Sequence, residues 1–115
     1  MRAFDLEKRT LEFGKQIIFL CKKLPKNSIN LRLMDQLVRS GTSIGANYME
    51  ANETDAKRDF LNKIRIAKKE AKETLYWLDL LTEDNPDLGK EIKMIRDECY
   101  QLVKILAAIF EKSKV

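Results

Sequence analysis

Between Gln36 and Ala51 an otherwise leucine-rich, helix-periodic chain carries Ser40, Gly41, Ser43, Gly45 and Ala46. Each interior glycine costs a helix about 1 kcal/mol relative to alanine, so a pair of them one turn apart needs compensation. Close helix packing supplies it. Gly41 and Gly45 lie beside the stripe Leu33, Leu37, Ser40, Ile44 and Ala51, and a neighbouring backbone can approach along that edge. The block commits the chain to tightly packed helices and specifies no chemistry.

Four amphipathic segments, about residues 6–24, 29–52, 56–82 and 86–112, fill almost the whole sequence. The first repeats Phe13, Ile17, Leu20 and Leu24, and stops there because Pro25 disfavours helix in the residue before it. Asn27 or Ser28 caps the second segment. After a break near Glu53 to Asp55, with Thr54 and Asp55 as capping candidates, the third carries Phe60, Ile64, Ala67, Ala71, Leu75, Leu78 and Leu81. Asp84-Asn85-Pro86 is a stop and a fresh start, proline being welcome in a first turn. The fourth segment alternates four- and three-residue steps through Leu88, Ile92, Ile95, Cys99, Leu102, Leu106 and Ile109, a coiled-coil-like seam. Short connections between long helices make neighbours antiparallel, so the expected fold is all-α: one domain over residues 1–115, an up-down-up-down four-helix bundle.

Composition narrows the function classes. Histidine is absent, which removes the commonest general base, the commonest metal ligand and every Ser/His or Cys/His nucleophile pair; no catalytic, metal or cofactor site is expected. Cys21 and Cys99 sit on apolar stripes far apart in sequence, the pattern of buried free thiols in a reducing compartment. The charged start, Met1 to Thr10, and the short late apolar run Ile105 to Phe110 supply neither an export signal nor the ~20 residues of a membrane span, so a cytoplasmic protein is expected. A formal charge of +4 tilts toward anionic partners, and 115 residues is small for a bundle that folds unaided, which favours self-association.

On an ideal helical wheel Arg58, Arg65, Lys69 and Lys72 of the third segment share a face with Tyr76, opposite the apolar stripe. Cations repeated along a rigid element suit phosphates, and an exposed tyrosine can stack on an unpaired base. The competing reading is a solvated face held by intrahelical pairs such as Asp59 with Lys63 and Lys69 with Glu73. Ile66, Trp77 and Leu61 flank the core stripe, and suit either a subunit interface or a broad intramolecular core. Glu50, Glu53 and Asp55 lack a histidine that would complete a di-iron pattern, and read as a helix-end cluster pairing with Lys or Arg.

The block Gln36-Leu37-x-Arg39-Ser40-x-x-Ser43-Ile44-x-Ala46-Asn47-x-x-Glu50-Ala51, then Asp59-Phe60, then Ile66-Ala67-x-x-Glu70-Ala71-x-Glu73-Thr74-x-Tyr76-Trp77-Leu78, resembles the four-helix bundle family of the 23S rRNA intervening-sequence proteins. Phe4-Asp5-Leu6 and Leu24-Pro25 extend the likeness to nearly the full chain. The resemblance implies a bacterial, cytoplasmic, ring-like homopentamer without established catalytic residues. Arg39, Ser40, Ser43, Asn47 and Glu50 stand as its polar signature, structural or interfacial in role. A related group, the accessory variability proteins of diversity-generating retroelements, forms basic pentamers that work with a reverse transcriptase and nucleic acid, so RNA, DNA and such a protein are the implied partners. Ala51 stands where many members have glycine, and Ala56 where many have a serine near the start of the third helix. The sequence thus favours a non-catalytic, oligomeric accessory protein that binds nucleic acid through the basic face of the third helix, with a structural or protein-partner scaffold as the alternative.

Overall fold

A computed structural model describes residues 2–115. Four helices follow one another: α1 (Ala3–Lys23), α2 (Ser28–Glu53), α3 (Lys57–Asp84) and α4 (Gly89–Ser113), the last entered through a single 3-10 turn at Pro86–Leu88. Each packs on its neighbour in the chain, and α1 closes the bundle on α4 across its thinnest interface. Cross-helix partners fix the directions. Thr10 and Ile17 meet Gly45 and Gly41, Arg39 and Glu50 meet Glu70 and Lys63, and Ala71 and Asp79 meet Cys99 and Arg96, so one helix ascends as the next descends. The result is an up-and-down four-helix bundle, 45 × 21 × 19 Å along its principal axes. No helix among the described residues is long and apolar enough to cross a membrane.

The helix ends follow local chemistry. Leu24 donates its N–H to Leu20 O at 3.1 Å, and the Lys26 ammonium covers the last carbonyls of α1, at 2.8 Å from Cys21 O and 2.7 Å from Leu24 O. Asn27 caps α2, its Oδ1 accepting from Asn30 N at 2.8 Å. At α3 the expected cap is displaced: Ala56, not Thr54 or Asp55, holds the N-cap position in extended backbone, and no side chain caps the helix. Thr54 Oγ1 instead accepts from Ala56 N, one turn too early to serve the helix.

The core is formed by the stripes read from the sequence, with Phe13, Ile17, Leu37, Ile44, Ile64, Leu78, Leu81, Ile92, Leu102 and Leu106 at most 1% exposed. The two glycines are sites of close approach. A Cβ on Gly41 would come within 2.9 Å of Ile17 Cγ1, and one on Gly45 within 2.9 Å of Thr10 Oγ1. Side chains of α1 therefore nest against α2 where a methyl group would stand, and this contact offsets the helix penalty of the glycines.

At one end of the bundle two asparagines 55 positions apart form a buried reciprocal amide pair. Asn30 Nδ2 donates to Asn85 Oδ1 at 3.0 Å, and Asn85 Nδ2 donates to Asn30 Oδ1 at 2.9 Å. The second amide hydrogens reach Pro25 O and Leu81 O, so the clasp joins the α1–α2 turn to the α3–α4 turn with its donors satisfied.

Candidate nucleic-acid interface

The side chains of α3 divide into three directions. On the side facing α2, Lys63 pairs with Glu50 at 2.7 Å, and Arg39 of α2 takes Glu70 at 2.8 Å and Glu73 at 2.7 Å. On the side facing α4, Asp79 pairs with Arg96 at 2.7 Å and the Lys68 ammonium lies 5.2 Å from the Phe110 ring centre. Between these edges Arg58, Arg65, Lys69, Lys72 and Tyr76 point outward, all exposed, with Tyr76 59% accessible. The helical rise carries this row about 27 Å along the bundle.

The ion pairs of this helix among the described residues are made with its neighbours and not within it. The intrahelical pairs Asp59 with Lys63 and Lys69 with Glu73 do not form: Lys63 goes to Glu50 and Glu73 goes to Arg39. Among the described residues Arg58, Arg65, Lys69 and Lys72 have no carboxylate within ion-pair distance. Arg65 is held by an uncharged group, Nη2 donating to Asn62 Oδ1 at 2.7 Å, which orients its guanidinium without neutralising it.

The polar signature of α2 joins it to α3. Arg39 bridges two glutamates, and Glu70 is only 5% exposed. These carboxylates hold the Arg39 guanidinium above its ordinary pKa, Glu70 being the stronger cause and Glu73 the second. Thr74 Oγ1 donates to Ser40 Oγ at 2.9 Å inside the same seam. Ser43 returns to Arg39 O and Asn47 to Ser43 O, which satisfies both within α2. Glu50 thus belongs to an ion pair across the seam, as the helix-end reading of its cluster requires.

Leu61, Ile66 and Trp77 are each half-buried. Trp77 packs against the core with Tyr76 edge-on to it, ring centres 5.0 Å apart, while its indole N–H is buried without an acceptor among the described residues. Leu61 lines a surface notch with Phe110, Arg58 and Arg65. The most exposed apolar residues lie elsewhere. Phe4, Leu11 and Ile18 of α1 are 71%, 58% and 45% accessible, and with Met49 of α2 they border a groove of about 590 Å³ floored by Gly14 and Gly45. This surface was readable from the seven-residue spacing of Phe4, Leu11 and Ile18, a second stripe beside the core stripe of Leu6, Phe13, Ile17 and Leu20.

The cysteines sit inside the bundle as free thiols. Cys99 lies 3.2 Å from Ala71 O, and burial pushes its pKa up to about 12. Burial raises that of Cys21 as well, against a small opposing pull from Lys26. Neither is a nucleophile at neutral pH.

Taken together, these observations define an up-and-down four-helix bundle that carries an unpaired cationic row on the outer face of α3. The match to known proteins is specific: the family model for the 23S rRNA-intervening sequence protein covers residues 2–108, and the chain belongs to that family. It also matches the crystal structure of a protein of unknown function from the S23 ribosomal protein family of Bacteroides thetaiotaomicron, with a TM-score of 0.87 and 36% identity over 96% of this chain and 99% of that one. No curated protein matches.

Proposed function

We propose that the protein is a non-catalytic, oligomeric accessory protein that binds nucleic acid, RNA foremost, through the outer face of α3 in the cytoplasm. The observation that carries this reading is the unpaired state of Arg58, Arg65, Lys69 and Lys72, which share the outward face of a helix whose Lys63, Glu70, Glu73 and Asp79 are ion-paired to the neighbouring helices. Exposed cations without carboxylates keep their full attraction for phosphates, and fixing them on one rigid helix sets their spacing. Family membership supports an RNA association, since the family takes its name from sequences that interrupt 23S rRNA.

Self-association is the second part of the reading. The exposed stripe of Phe4, Leu11 and Ile18 supports it, because apolar residues concentrated in one groove suit a protein contact. The occupant we assign is a second copy of the chain, which offers Leu80 on α3 and Met94 on α4, themselves exposed, on the helices opposite the α1–α2 pair. Contacts between two different faces of one chain close into a ring when the rotation between copies closes, as a homopentamer requires.

Charge reversal tests the nucleic-acid reading. Lys69→Glu and Lys72→Glu should each weaken binding to RNA by a similar factor whatever its sequence, with the helical circular dichroism unchanged. Unaltered affinity in both variants contradicts it and moves the function to a protein-binding scaffold, a reverse transcriptase being one such partner.

A further inference from the structure

Near the start of α3 the basic row runs into the notch that Leu61 shares with Phe110 of α4, a recess of about 850 Å³. Its floor is apolar, formed by Leu61 and Phe110, both half-buried. Arg58 and Arg65 form its walls on the side of the row, and the ammonium groups of Lys68 and Lys114 stand 5.2 and 5.7 Å from the Phe110 ring centre. Lys57 also borders the recess, but its ammonium is engaged by the carbonyls of Lys114 and Val115. One carboxylate, Asp59, lies on the rim.

An A-form or B-form duplex presents phosphates and hides its bases, so the row alone would serve either a duplex or a single strand. The notch adds what an unpaired base can use: an apolar floor bordered by two guanidinium groups, at the end of the cationic row. Asn62 also supplies an amide that can pair with a base edge once Arg65 swings to a phosphate; in the free protein the two are bonded at 2.7 Å. We propose that the notch of Leu61, Phe110, Arg58 and Arg65 receives one unpaired nucleotide, so that the protein selects single-stranded nucleic acid, or a bulge or end, over continuous duplex. This rests on the nucleic-acid reading of α3 and adds strand selectivity to it. The shared chemistry is a nucleobase with its phosphate; RNA and DNA are separated by experiment.

The test is a fluorescence anisotropy titration with an unstructured 12-nucleotide RNA, the matching DNA and a blunt RNA duplex of equal length, against the wild-type chain, Leu61→Gln and Lys69→Glu. Neutral Leu61→Gln should reduce single-strand affinity about tenfold and leave duplex affinity nearly unchanged, the loss expected for one base contact. Lys69→Glu should weaken both. In the wild-type chain, 5-bromouridine placed in the single strand should photocross-link to the segments holding Leu61 or Phe110, a readout independent of any variant's folding. RNA binding above DNA would mean that the 2′-hydroxyl is also read; equal binding would mean that base and phosphate suffice, and both sustain the proposal. Equal loss on single strand and duplex in Leu61→Gln, or cross-links confined to other segments, overturns the notch while leaving the row intact. Absence of binding to all three nucleic acids overturns the row and the notch together.

Discussion

At the residue scale, the fold depends on polar side chains whose partners are remote in sequence. Asn30 and Asn85 illustrate this. Each is buried and carries the other's amide, and no local pattern links them across 55 positions. Removing one partner strands a buried amide, so Asn85→Ala should destabilise the bundle by ~2 kcal/mol, whereas Asn30→Leu with Asn85→Leu together should cost less than the sum of the single changes. Urea titration of the four proteins measures that coupling; additive losses would mean that the pair acts as two separate contacts. The N-cap of α3 offers the opposite case. Ala56 occupies it in extended backbone without a side-chain acceptor, so Ala56→Ser should stabilise the protein by ~1 kcal/mol, seen as a melting temperature raised by a few degrees. An unchanged or lower melting temperature would show that the first turn of α3 is already satisfied. The glycines were legible in the sequence, because a helix tolerates two of them only where something approaches closely, and Ile17 and Thr10 do.

At the scale of single helices, periodicity locates the stripes, while charge pairing needs the neighbouring helix. The core residues of α3 and α4 repeat at three- and four-residue steps and were readable for that reason. Lys63 and Glu73 were open to intrahelical partners at the correct spacing, yet α2 presents Glu50 and Arg39 to them, and the forked guanidinium of Arg39 engages two glutamates at once. The basic row was therefore visible in the sequence, but its lack of counter-charges was not. The same packing governs the thiols. Cys99 on α4 is held protonated well above the ordinary thiol range, so native protein at pH 8 should react with a thiol reagent orders of magnitude more slowly than protein in denaturant. Above the unfolded thiol pKa the denatured chain loses a proton that the native Cys99 retains until about pH 12, so this group makes stability fall as pH rises through that window. Rapid labelling of the folded protein would contradict the packing of α4 on α3.

At the scale of the whole molecule, the two surfaces lie on different parts of the bundle: the cationic row on α3, and the apolar groove between α1 and α2. Self-association through the groove would repeat the row around the assembly, with Leu80, one turn beyond Tyr76 on the same face of α3, at the contact. Leu11→Asp, at an exposed position, should lower the assembly mass in light scattering while preserving helicity; a wild-type chain that already runs as a monomer at micromolar concentration would refute the assembly.

The central claim is that the four cations of α3 bind phosphates as a unit, and the most direct measurement is the dependence of affinity on salt. Titration of the wild-type chain with an unstructured single strand between about 50 and 200 mM salt should give a plot of log affinity against log salt with a slope near −3 for each four-cation site, falling toward zero when Arg65 and Lys69 are both reversed to glutamate. A slope near zero in the wild-type chain, or one unmoved by the double reversal, would contradict the account.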